Sequence, residues 1–222
     1  MNRYMREVLR VHVERHFLGW FIRPDRSDVT TTEVAEALIP VDRIRADGIC
    51  YCAGVGEDIT LERFLSESIC AQVWAFDPTP RSIKYMERSE HDTSRLHFEP
   101  IGLWKENTTL EFHAPENPEH VSHSVMEDLG GGDVFLAQCE SIPSAMRRLG
   151  HSHLDLLKMN IEGAEHVVLG ATLDAGVFPS VVMLTWEGND AFWKAVSWTK
   201  RLRREGYRFV GRVGWYFTYV KY

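Results

Sequence analysis

Apolar and polar positions change their period several times along this chain, and each change marks an element. Near the start, Tyr4, Val8 and Val11, with Met5, Leu9, His12 and His16 beside them, recur at helical spacing among Arg3, Arg6, Arg10 and Arg15. This spacing predicts an amphipathic helix over 2–18, within an N-terminal arm of residues 1–45. Such an arm packs on its own domain or forms a homodimer contact. From residue 48 short apolar runs alternate with helical patterns. Residues 49–53 end in Gly54-Val55-Gly56 and lead to a helical stretch at 58–65; residues 73–76 end in Asp77-Pro78-Thr79-Pro80 and lead to a helix at 81–88; a third run covers 96–101. This βαβ series predicts a parallel sheet with helices on both faces.

Residues 104–139 break the rhythm. Thr108 to His113 alternates like a strand, Pro115, Pro118 and Gly130-Gly131-Gly132 interrupt, and 134–139 is strand-like again. The segment holds too few apolar residues for its own core, so it reads as an insertion within a domain spanning 46–222. Beyond it the pattern predicts helices at 141–149 and 191–205, strands at 154–160 and 181–186, a helix entered through 161–169, and a terminal hairpin at 207–211 and 215–220.

Composition narrows the class. A chain of 222 residues that is 44% hydrophobic and 26% charged is one large domain or two small ones, which excludes disordered and fibrous proteins. The uncharged run 175–186 is twelve residues long, against ~20 for a membrane-spanning helix. The N-terminus shows no apolar secretory core. With 25 Lys and Arg against 32 Asp and Glu, the net charge of −7 disfavours nucleic acid as a partner. Cys50, Cys52, Cys70 and Cys139 form no CxxC pair, and Cys50 and Cys52 lie in an apolar run as buried thiols suited to a reducing cytoplasm.

The glycine turn Ala53-Gly54-Val55-Gly56 after a strand either lets a ligand approach the backbone or merely turns the chain. Ile59 stands where a dinucleotide fingerprint wants its third glycine, and Glu57 and Asp58 place negative charge where a pyrophosphate would rest. A cofactor without phosphates, S-adenosylmethionine, tolerates that charge. Asp77 ends the second strand, where an acid accepts hydrogen bonds from ribose hydroxyls, or simply opens an Asp-Pro turn. His113, His120 and His123 lie in the insertion without a helix to align them, and read as surface histidines more readily than as a metal site; His123 is the one chosen as a substrate-facing base. Glu187, after the 181–186 strand, binds the acceptor, acts as base, helps hold a divalent ion, or caps the next helix, for which Asp190 is the better cap.

The segment Asp155-Leu156-Leu157-Lys158-Met159-Asn160-Ile161-Glu162-Gly163-Ala164-Glu165 resembles the LLKxDIEGAE signature of the FkbM-type methyltransferases. The loops Gly54-Val55-Gly56-Glu57-Asp58 and Ala75-Phe76-Asp77-Pro78-Thr79-Pro80 are similar to those of the same family, and the likeness spans residues 48–222. It implies a Rossmann-like class I methyltransferase: an α/β fold with a mostly parallel seven-stranded sheet whose antiparallel strand comes from the C-terminal hairpin. It implies transfer of a methyl group from S-adenosylmethionine to a hydroxyl of a small molecule such as a sugar or a polyketide-type product. The residues expected at the cofactor are Ala53, Gly54, Val55, Gly56, Asp58, Asp77, Pro78, Thr79 and Asn160. Asn160 replaces the family's aspartate and cannot act as a base, and Tyr51 or Cys52 fills a strand position that is often acidic. Glu162, Glu187 and His123 are the candidate bases. A magnesium ion would serve instead of a base, and the sequence names no ligand set for it. A non-catalytic adenosyl-binding or assembly module is the competing reading. Trp104, Phe112 and the insertion's histidines would suit stacking on an acceptor, or would pad a small satellite core.

Overall fold

The computed structural model describes residues 18–25, 28–88, 94–113, 134–186, 188 and 190–222, with only the backbone of His113. Of the helix expected over 2–18, residues 2–17 lie outside these residues; 18–21 are helical. Among the described residues twelve strands follow: β1 (Thr31–Val34), β2 (Ala37–Pro40), β3 (Ile49–Ala53), β4 (Gln72–Phe76), β5 (Leu96–Glu99), β6 (Gly102–Trp104), β7 (Thr108–His113), β8 (Val134–Ser141), β9 (Leu156–Met159), β10 (Val181–Thr185), β11 (Tyr207–Val213) and β12 (Tyr216–Lys221). The helices are α1 (Thr60–Arg63), continued by a π-helical turn at Phe64–Ser68, then α2 (Pro80–Met86), α3 (Ile142–Leu149), α4 (Glu165–Asp174) and α5 (Ala191–Arg204).

Seven strands form the main sheet in the order β11-β12-β10-β9-β3-β4-β5. The pairs β10/β9, β9/β3, β3/β4 and β4/β5 are parallel, and β12 runs antiparallel to β10 and β11. This is the expected Rossmann-like sheet with its antiparallel C-terminal hairpin. Every residue of β9 and β10 is buried, as a parallel sheet covered on both faces requires. Successive side chains point to opposite faces. Tyr51, Ala53, Leu157, Met159, Val182 and Leu184 enter one core with Ile142 and Ala145 of α3, Val168 and Leu169 of α4 and Val196 and Leu202 of α5. Cys50, Cys52, Val73, Leu156 and Met183 enter the other with Leu61, Leu65, Ala37 and Ile39. Cys50 and Cys52 are buried free thiols, and burial holds both well above the ordinary thiol pKa.

Two features depart from the sequence pattern. β1 and β2 make a hairpin inside the expected helical arm. Its turn residues Ala35 (φ 47°) and Glu36 (φ 60°) adopt the left-handed conformation of a two-residue hairpin turn without the Asn-Gly signal that announces one. Across the 104–139 region, β7 and β8 pair antiparallel and β6 joins β8 in parallel, a small sheet of order β6-β8-β7. It buries Phe112, Ala137 and Cys139 in a satellite core, with Phe112 stacked on Phe135 at 5.4 Å.

Candidate active site

From β3 the chain moves to β4 and β5 on one side of the sheet, then returns to β9 and β10 on the other. The carboxyl ends of β3 and β9 therefore border a topological switch point, where open α/β sheets place their ligand crevice. A cavity opens there. Ala53, Gly54, Val55 and Gly56 line it from the end of β3, Phe76, Asp77, Pro78 and Thr79 from β4, and Asn160, Ile161, Glu162 and Ala164 from beyond β9. Gly102, Leu103, Trp104 and Phe112 line it from the small sheet. Four segments distant in sequence thus meet at one place.

Asp77 organises the glycine turn. One carboxylate oxygen accepts the backbone N–H groups of Val55 (2.9 Å) and Gly56 (3.0 Å), and the other accepts the N–H (2.9 Å) and hydroxyl (2.7 Å) of Thr79. Thr79 is the N-cap of α2, with Pro80 in the first turn. A carboxylate has about four acceptor positions, so protein donors fill Asp77, and a ribose hydroxyl would have to share or displace one. Gly54 (φ 82°) lies so close to the end of β9 that a Cβ there would stand 1.8 Å from the Asn160 carbonyl oxygen. Only glycine fits.

Below the turn, Lys158 of β9 donates to the Gly54 carbonyl (2.6 Å) and to Glu62 of α1 (3.1 Å). Both charged residues are buried. Burial alone would lower the lysine's pKa; Glu62 more than reverses this and holds it above the ordinary value. The Tyr216 hydroxyl, buried nearby, has no hydrogen-bond partner among the described residues.

On the far wall, Glu162 has φ 55° and Gly163 has φ 92°, a left-handed pair that turns the chain from β9 into α4. Asn160 Oδ1 accepts from the Thr185 hydroxyl (2.9 Å). Glu165 is buried and accepts from the Ile161 N–H (2.8 Å), with the Thr185 hydroxyl 3.3 Å away. Desolvation pushes the Glu165 carboxyl up to about 7, against the lowering effect of the Ile161 N–H.

Eight of the nine expected cofactor residues line the cavity. Asp58 does not: its carboxylate accepts the N–H (2.9 Å) and hydroxyl (2.6 Å) of Thr60 and starts α1. Glu57 pairs with Arg81 at 2.7 Å, so neither acid carries the argument against a pyrophosphate that the sequence suggested. Of the candidate bases, Glu162 lines the cavity, while Glu187 and His123 lie outside the described residues, as does His120. Asp190 stands at the N-cap of α5 without a side-chain capping bond and pairs with Lys194 instead (2.9 Å). Trp104 and Phe112, expected near the acceptor, are on the cavity wall. The sequence reading missed Lys158, Glu62, Thr185 and Glu165. A charged residue inside the apolar run Leu156-Leu157-Lys158-Met159 was the one available signal, since a buried lysine needs a partner.

Among the described residues, no cluster of three His, Cys, Asp or Glu side chains is disposed to hold a metal, and no helix is long and apolar enough to cross a membrane. No curated protein and no solved structure matches the chain. The family model "Methyltransferase FkbM domain" matches residues 49–209, from the first residue of β3 into β11, and so takes in every segment of the cavity. With that match over well more than half its length, this chain belongs to the FkbM methyltransferase domain family.

Proposed function

We propose that the protein transfers a methyl group from S-adenosylmethionine to a hydroxyl of a small molecule, of the sugar or polyketide type. The observation that carries the reading is the state of the glycine turn. A pyrophosphate needs free backbone N–H groups at such a turn, and those of Val55 and Gly56 are already given to Asp77. A phosphate-free nucleoside cofactor does not need them, and the cavity leaves it the bare backbone at Gly54 and the polar wall at Asn160. When bound, S-adenosylmethionine supplies a methyl group already activated by the sulfonium charge.

The protein's remaining task is to place the acceptor oxygen and remove its proton. Placement alone lowers such a barrier by ~7–11 kcal/mol in favourable cases. Trp104 and Phe112 offer apolar faces for the acceptor's body, and Glu162 is the described carboxylate on the wall fit to take the proton. The reading includes a methyltransferase domain over 46–222 with 104–139 as its insertion.

The test is methyl transfer from labelled S-adenosylmethionine to a panel of sugar and polyketide-type alcohols. Product is expected, and Glu162→Gln should cut turnover by ~100-fold or more, far more than it lowers folding stability. Tight adenosyl binding with no transfer to any alcohol would favour the non-catalytic module instead.

A further inference from the structure

Asn160 stands where the family signature has aspartate, and its surroundings decide what an amide does there. The amide has an accepting end and a donating end. Oδ1 is held by the Thr185 hydroxyl at 2.9 Å. That hydroxyl has one hydrogen and also lies 3.3 Å from Glu165 Oε1, so it cannot donate to both. The shorter contact, to Asn160, takes the hydrogen. Among the described residues nothing accepts from Asn160 Nδ2, and the residue lines the cavity. The end left for a ligand is the donating end.

Asp77 follows β4 and Asn160 follows β9, on either side of β3. Two strand spacings separate them, ~10 Å. A nucleoside cofactor with its ribose toward Asp77 would cross the glycine turn and bring its amino-acid end to Asn160. That end carries an ammonium and a carboxylate. An amide N–H2 matches only the carboxylate, because an ammonium has no lone pair to offer.

We propose that Asn160 receives the carboxylate of the cofactor's amino-acid end, and that Thr185 is a positioning residue that turns the Asn160 amide to do so. The proposal rests on the S-adenosylmethionine reading above and goes beyond it in naming the group recognised and the residue that sets the recognition.

Titration calorimetry with S-adenosylhomocysteine and with 5′-methylthioadenosine, which lacks the amino-acid end, tests it without turnover. Asn160→Asp should weaken S-adenosylhomocysteine roughly tenfold or more and leave methylthioadenosine unchanged. Thr185→Val should weaken S-adenosylhomocysteine several-fold with the same selectivity, and Thr185→Ser should restore it. Unchanged methylthioadenosine affinity also shows that each variant keeps its pocket. Unchanged S-adenosylhomocysteine affinity in Asn160→Asp, or equal losses for both compounds in Thr185→Val, would overturn the assignment while leaving the cofactor reading standing. A wild-type protein that binds neither compound would remove the cofactor reading, and this inference with it.

Discussion

Asp77 illustrates how one side chain can hold a site together. Its two oxygens join the glycine turn to the cap of α2 through four hydrogen bonds. Asp77→Asn is nearly isosteric, yet its amide nitrogen must face a pair of N–H or O–H donors whichever way the side chain turns. Each buried donor left unpaired costs ~1–3 kcal/mol. The variant should lose on the order of 3 kcal/mol in stability and most of its adenosyl affinity together, which denaturant unfolding and calorimetry can check on one preparation. Lost affinity at unchanged stability would instead point to a direct ligand contact. The role of Asp77 was half legible in the sequence: an acid after the second strand is a recognisable signal, but its donors lie 21 and 22 positions away at Gly56 and Val55. Asp58 shows the converse. Its position suggested a cofactor contact, and a hydroxyl two residues on claimed it first.

Among the elements, β9 matters most. It lies beside β3, and Lys158 ties it both to the glycine turn and to α1. Removing one member of a buried ion pair leaves the other charged in a low-dielectric interior, which typically costs ~3–5 kcal/mol. Lys158→Met should therefore be strongly destabilised, and Lys158→Met with Glu62→Leu should recover much of the loss. Thermal melts of the two variants decide the matter; a double variant as unstable as the single would mean that Lys158 acts through Gly54 and not through Glu62. Element positions were readable because each strand and helix writes its period into consecutive residues. Boundaries moved by one or a few positions, as where the expected 58–65 helix becomes α1 and its π-helical turn. The β1–β2 hairpin was not readable, because Ala35 and Glu36 reach left-handed angles without the residues that usually favour them.

At the scale of the whole molecule, Glu165 links the site to global stability. Its folded pKa is raised to about 7 from 4.5, chiefly by burial. Between those values the folded state binds more protons than the unfolded one, so this group's contribution is full below pH ~4.5 and is lost as pH rises toward ~7. Glu165→Gln cannot titrate. The melting temperature of the wild type relative to this variant should fall across that window, and a flat difference would show that the Glu165 pKa is the same in the folded and unfolded chain. The same scale explains the place of the cavity. A sheet that grows from β3 first toward β5 and then toward β10 leaves a crevice between its two halves, and the small β6-β8-β7 sheet brings Trp104 and Phe112 to it.

The sequence by itself determined the alternation of strands and helices, the glycine turn, Asp77 and the signature around Asn160, because these are patterns among neighbouring residues. Tertiary structure alone decided that Lys158 meets Glu62 across 96 positions, that Thr185 holds Asn160 across 25, and that the small sheet lines the cavity. Such partners are fixed by strand order and packing, and the physics that selects them, burial and hydrogen-bond satisfaction, acts between residues that no local pattern connects.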